Sequence, residues 1–223
     1  MKQQAGWLWG LVIRPGPTIR DIVEHGSLRA GLAVVVLFSI VLGLLTLVDA
    51  VLPATGGMER AAGPYGGARI MEALRWLFLA LAVLMPLLVL LNILVGRGIV
   101  HVIARTFRGS GQYWDLFKTQ CYLYPLGVTA MTPLYLLRLA VTPFSADLAS
   151  TLNLAFMPLI LAILVWLVIL DVLMVRQVYG VSAVRAGGIA GLSYVLIFGL
   201  MCLCTCLVAF GLAFYAYASL AGM

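Results

Sequence analysis

Residues 97–125, RGIVHVIARTFRGSGQYWDLFKTQCYLYP, hold the polar interruption between two uncharged runs of membrane length. Four cationic side chains, Arg97, Arg105, Arg108 and Lys118, fall within the stretch. Gly109 and Gly111 stand where a helix stops, and Tyr113 and Trp114 follow where an interfacial aromatic belt belongs. The stretch reads as the cytoplasmic elbow of a helical membrane protein, and the other segments are placed by their distance from it.

Composition agrees. Of the 223 residues, 64% are hydrophobic and 10% charged, too apolar for a soluble surface. No polar run is long enough for a separate soluble domain, which takes roughly 50 residues or more. The formal charge of +6 is scattered over the ends of apolar runs, a pattern of membrane orientation and not of nucleic-acid binding. Cys121, Cys202, Cys204 and Cys206 all lie in apolar runs and form no secreted disulfide framework. The amino-terminal apolar stretch is broken by Arg14 and Pro15 and offers no cleavage site, so no signal peptide is expected to be removed.

Five uncharged runs follow residue 29: Ala30 to Val48, Trp76 to Gly96, Thr119 to Leu137, Leu148 to Leu170, and Ala186 to the carboxyl end. Roughly 20 residues at 1.5 Å rise match a hydrocarbon core of about 30 Å, so each run can cross a bilayer. The third is the least apolar, with Gln120, Tyr122, Tyr124, Pro125, Thr129, Thr132 and Pro133, and belongs against other helices. Before these runs, residues 1–29 place Ile19, Ile22 and Val23 on one helical face, with Thr18 a candidate cap and Arg20, Asp21 and Glu24 toward water or headgroups. The expected architecture is therefore all-α and integral to the membrane. It has a cytoplasmic interfacial helix in residues 1–29 and a five-helix transmembrane domain over 30–223.

Orientation follows from the cations. With the amino terminus inside, the inner side holds Lys2, Arg14, Arg20, Arg29, Arg97, Arg105, Arg108, Lys118, Arg176 and Arg185. The outer side holds Arg60, Arg69, Arg75 and Arg138. Acidic residues divide evenly, so the net charge sits on the cytoplasmic face and the carboxyl end lies outside. The Pro53–Arg69 loop, rich in Gly and Pro, carries no pattern that asks for packing.

No Walker loop, His-Glu-x-x-His, Gly-x-Ser-x-Gly or spaced carboxylate pair is present, and no catalytic residue, cofactor site or metal site is expected. His101 reads as a hydrogen-bonded interfacial group. On a helix Cys202 and Cys206 share a face that Cys204 opposes, so the three thiols cannot converge on one ion. Together with Gly187, Gly191, Gly199 and Gly211 they suggest a last span built for close helix approach. Asp49 and Asp171 lie at the ends of spans and suggest ordinary end pairing, with Arg75 or Arg138 and with Arg176 respectively.

Pro86 and Pro158 each lie ten residues into runs that cross in the same direction, within matching Met-Pro-Leu segments. With Pro125 they should bend their helices and leave backbone carbonyls to be satisfied by neighbours. Asn92 and Asn153, with Thr129 and Thr132 of the third span, would close a dry hydrogen-bonded core. The alternative is a small wet cavity. The Met-Pro match, and Arg105-x-x-Arg108-Gly109 against Arg176-x-x-Tyr179-Gly180, would fit a parallel duplication.

The opening LVIRPGPTIRDIVEH, the elbow FRGSGQYWDLFKTQCYLYP from Phe107 to Pro125, and VYGVSAVRAGGIAGLSYVL before the last span together give a chain that resembles the Yip domain family. These are the Ypt/Rab-interacting polytopic membrane proteins and their prokaryotic relatives. The resemblance implies a compact five-helix membrane domain with no known catalytic residues. Eukaryotic members act in vesicle trafficking and associate with small GTPases and with each other. The Ala, Gly, Leu and Arg bias with scarce Lys suggests a prokaryotic source and hence the cytoplasmic membrane.

The expected function is that of a non-enzymatic, multi-pass membrane scaffold that organises membrane or binds partners. Membrane lipids, other membrane proteins or further copies are its expected partners, and nucleic acid and a small-molecule substrate are not. The alternative is a small permeation, transport or lipid-handling protein. Arg105, Arg108 and Trp114 are the candidate lipid- or partner-binding residues, since they extend the basic inner face beside an aromatic anchor.

Overall fold

The amino-terminal segment is two helices, not one. α1 (Lys2–Ile13) and α2 (Pro15–His25) meet at Arg14. Pro15 opens α2 with its ring-fixed φ where a missing N–H costs nothing. Thr18, expected as the cap, instead lies inside α2 and returns its hydroxyl to the Arg14 carbonyl at 2.8 Å. A computed structural model of the chain describes residues 2–51, 67–141 and 146–221. The remaining helices among the described residues are α3 (Leu28–Val51), α4 (Gly67–Thr106), α5 (Tyr113–Val141), α6 (Ala146–Tyr179) and α7 (Ala183–Ala221).

Among the described residues, four stretches are long and apolar enough to cross a membrane: Leu28–Leu47, Leu79–Thr106, Leu154–Tyr179 and Ala183–Leu207. The third expected span, on α5, is not among them although the helix runs for 29 residues. Gln120, Tyr122, Tyr124, Pro125, Thr129 and Pro133 make it too polar. The packing accounts for that polarity, because α5 is surrounded by α3, α4, α6 and the α1–α2 hairpin. Gln120, Tyr122, Tyr124 and Pro125 are buried or half-buried against those helices, whereas Thr129 and Pro133 are exposed. Helices α4, α5, α6 and α7 form a ring in which each touches the next and α7 returns to α4, while α3 lies against α4 and α5.

The core is not at mid-span. Trp7, Leu11, Ile19, Ile22, Val100, Ile103, Leu116, Tyr122, Met174, Tyr179 and Ile189 pack into one cluster at the elbow end of the bundle, so the hairpin shares its core with the helix ends. Polar contacts hold the hairpin there. The Trp7 indole donates to Asp21, Lys118 Nζ donates to the Val23 carbonyl at 2.7 Å, and Tyr122 Oη donates to the Ser27 carbonyl at 2.9 Å. On the opposite face of α1, Trp9, Val12 and Ile13 stay exposed.

Small residues permit close approach, but not where expected. A Cβ on Gly187, Gly191, Gly199 or Gly211 of α7 would meet nothing within 4 Å, and Cys202, Cys204 and Cys206 are exposed. The close approach occurs at α3, where a Cβ on Gly43 would lie 2.6 Å from the Ala82 oxygen. That carbonyl is the one left without its helical donor by Pro86, four residues on. The backbone of α3 at Gly43 thus comes close to the freed oxygen. Pro125 is buried in α5, and Pro158 is exposed on α6.

Candidate functional site

The elbow is built around the carboxyl end of α6. After α4 ends, Arg108 takes a left-handed conformation (φ 61°), and the Gly109 N–H returns to the Ala104 carbonyl at 2.9 Å. A non-glycine residue there costs on the order of 1 kcal/mol. Glycine is needed one and three residues later instead. A Cβ on Gly109 would lie 2.9 Å from the Tyr179 ring, and one on Gly111 2.3 Å from the Val178 oxygen. Ser110 N and Oγ both reach the Tyr179 carbonyl at 3.4 Å. Gly180, at φ 63°, closes α6 in the left-handed conformation. His101 Nδ1 lies 2.7 Å from the Tyr179 hydroxyl, and the Tyr113 ring meets the imidazole edge-on. Burial raises the Tyr113 phenol pKa above its ordinary value, and the nearby Cys121 adds to the shift.

Around this elbow the end of the molecule is cationic. Arg14, Arg20, Arg29, Arg105, Arg108, Arg176 and Arg185 are exposed, and among the described residues none of them forms an ion pair. The nearby carboxylates are mostly engaged: Asp21 with His25 at 2.9 Å and Asp115 with Lys118 at 3.2 Å. Glu24 is exposed. Arg105 and Arg108 form no ion pair among the described residues, and Trp114, packed against Tyr113 and Phe117, is 57% exposed.

A second site lies inside the helix ring. Asp171 pairs with Arg97 of α4 and not with Arg176, which is exposed. Five residues along a helix turn about 500°, so Arg176 leaves Asp171's face while Arg97 meets it across the ring. Arg97 Nη2 contacts Asp171 Oδ1 at 3.0 Å and Oδ2 at 3.2 Å, and Tyr194 of α7 donates its hydroxyl to Oδ2. Both charged side chains are largely buried, at 14% and 12% exposure. Such a pair stabilises only when its geometry and further hydrogen bonds offset the desolvation.

Beside the pair opens a cavity of about 270 Å³ that Asn92, Gln120 and Ser193 also line. Gln120 Oε1 is buried without a hydrogen-bond partner, and Ser193 returns its hydroxyl to the Ile189 carbonyl. Asn92, expected to bond between helices, is exposed at the cavity wall. Thr129 is exposed and Thr132 bonds the Val128 carbonyl of its own helix. The side chains of Asn153, Asp49, Arg75 and Arg138 lie outside the described residues, as does Met223.

The Arg97–Asp171–Tyr194 group was legible in part, because Arg97 and Asp171 each end an uncharged run crossing in the same direction, which puts them at one depth. Nothing in the spacing pointed to Tyr194 or to the unpartnered Gln120. Among the described residues no three His, Cys, Asp or Glu side chains gather as a metal would need.

No curated protein and no solved structure matches the chain. The Yip1 domain model matches residues 9–205. With that match over most of its length and four helices of membrane-crossing length and apolarity, this multi-pass membrane protein belongs to the Yip1 domain family.

Proposed function

We propose that the protein is a non-enzymatic membrane scaffold whose elbow end is a rigid cationic platform on the cytoplasmic face. The observation that carries this reading is the set of exposed, unpaired arginines on a single packed end, fixed by the shared core and by the tight Gly109–Gly111 loop. Exposed arginines mounted on a firm surface attract anionic headgroups or an acidic partner surface, at about 1 kcal/mol per cation near a charged membrane. Trp114, Phe107 and Trp9 supply apolar anchors at the same level.

The topology belongs to the same proposal. α5 is the fifth crossing, its polar groups sheltered by neighbouring helices, and the α1–α2 hairpin lies in the interface with Trp9, Val12 and Ile13 toward lipid. The cation distribution supports an amino terminus inside and a carboxyl end outside, in the cytoplasmic membrane of a prokaryote. Replacing Arg105 and Arg108 with Gln tests the platform by flotation with vesicles of stated anionic content. Weakened association of a detergent-solubilised protein whose folding is intact is expected, and unchanged association would reduce both arginines to an orienting role. The lipid-handling alternative is favoured by one observation, the cavity inside the helix ring, apolar-walled with the Arg97–Asp171 pair at its side.

A further inference from the structure

The cavity beside Arg97 combines unused donors with an unused acceptor. A guanidinium carries five N–H donors, and Arg97 spends only Nη2 on Asp171, leaving Nε and Nη1 without a partner among the described residues. Opposite in character, Gln120 Oε1 is buried with no donor. An orphaned buried acceptor costs about 1–3 kcal/mol unless something supplies a hydrogen bond. The ion pair is electrically neutral, so a ligand with a net charge would leave that charge uncompensated among apolar walls, whereas a zwitterion matches both halves.

The cavity's position narrows the ligand further. Of its lining, Asn92 and Val95 of α4 and Leu200 and Met201 of α7 are exposed, on two helices long and apolar enough to cross a membrane. A headgroup entering between those residues would leave its acyl chains against exposed apolar side chains of both helices, a path that a free solute does not need. At about 30 Å³ for each water-sized group, 270 Å³ holds roughly the non-hydrogen atoms of a phosphoethanolamine. A quaternary choline has no N–H to give Gln120, and a glycerol headgroup has no cation to give Asp171.

The geometry points to a binding site for the headgroup of an amine phospholipid, with its phosphate on the free edge of Arg97 and its ammonium shared by Asp171 and Gln120 Oε1. This inference is independent of the cationic end face. It names a ligand for a site that the scaffold reading leaves unused.

Native mass spectrometry of the purified full chain tests it, in detergent containing equimolar dioleoyl phosphatidylethanolamine, phosphatidylcholine and phosphatidylglycerol. Phosphatidylethanolamine should be retained about tenfold over each of the others, the size of one charge-assisted hydrogen bond lost. Gln120→Leu should bring its retention down to the level of phosphatidylcholine without changing the elution volume of the protein. Should Gln120→Leu fail to fold, Gln120→Met, which keeps the length of the side chain and removes its amide oxygen, decides in its place by the same loss of retention. Equal retention of the three lipids, preference for phosphatidylglycerol, or an unchanged profile in the folded variant overturns the assignment. Free phosphoethanolamine at the lipid's concentration should leave the adduct in place; displacement would move the site to a soluble amine phosphate and overturn the lipid.

Discussion

Replacing Gly43 with alanine should loosen the α3–α4 contact, although alanine is the better helix former. The added Cβ would stand 2.6 Å from the Ala82 oxygen, whereas a relaxed carbon–oxygen contact is about 3.3–3.6 Å. The obstacle is a backbone carbonyl held by its own helix, so the helices must separate by roughly 0.7–1 Å to restore ordinary contact. A gap of about that size forfeits a quarter to a half of each dispersion contact where α3 packs on α4. Overpacking of this kind costs about 1–3 kcal/mol, against about 1 kcal/mol returned by removing a glycine from a helix.

Gly98 supplies the control. It is helical, and a Cβ there would meet nothing within 4 Å, so Gly98→Ala should show the propensity gain alone. At about 2–4 °C per kcal/mol for a chain of this size, Gly43→Ala should lower Tm by a few degrees and Gly98→Ala should raise it by a similar amount. Fluorescence-detected thermal melting in one detergent measures both. A Gly43→Ala protein that melts at or above the temperature of Gly98→Ala would refute the close-approach reasoning.

Gly111→Ala should be at least as damaging as Gly43→Ala, since its Cβ would lie 2.3 Å from the Val178 oxygen; limited proteolysis of the elbow, faster in the variant, checks this. Asp171→Asn should cost about 3–5 kcal/mol by leaving the buried Arg97 uncompensated, while the double change Arg97→Met with Asp171→Leu should recover much of the loss. A double variant no more stable in thermal melting than the single one would contradict that account. Tyr122→Phe should cost about 1 kcal/mol and speed amide exchange across α2, because the hydroxyl holds the Ser27 carbonyl at the α2–α3 junction. Reporter fusions at Gly109 and after Met223 should score as cytoplasmic and external respectively, and the reverse pattern would remove the proposed orientation.

Several of these sites were visible in the sequence, and others had no local sign. Ile19 and Ile22 recur at helical spacing and are fully buried, because an amphipathic face has only one side to bury. Pro86 foretold a freed carbonyl, but Gly43, which meets it, lies some forty residues away in a span of uniform apolarity. The spans themselves carry little information about facing. Where every side is hydrophobic, Gly187 and Gly191 on α7 look as fit for close packing as Gly43 on α3, and only the assembled helices show which has a neighbour.

What the sequence by itself determined is what depends on composition and order along the chain: the apolar helices, the polar elbow, the amphipathic helix near the amino terminus and the likeness to the Yip1 domain. A bilayer forces long uncharged runs into helices whatever they touch, since backbone groups there must bond within the segment. The tertiary structure decided the pairings across helices: Arg97 with Asp171 and Tyr194, Gln120 toward the cavity, Gly111 against Val178, and the core gathered at the elbow end. Those depend on the rotation of each helix about its own axis, which a helix apolar all round does not encode and which is fixed only when polar groups and small residues find partners on another helix.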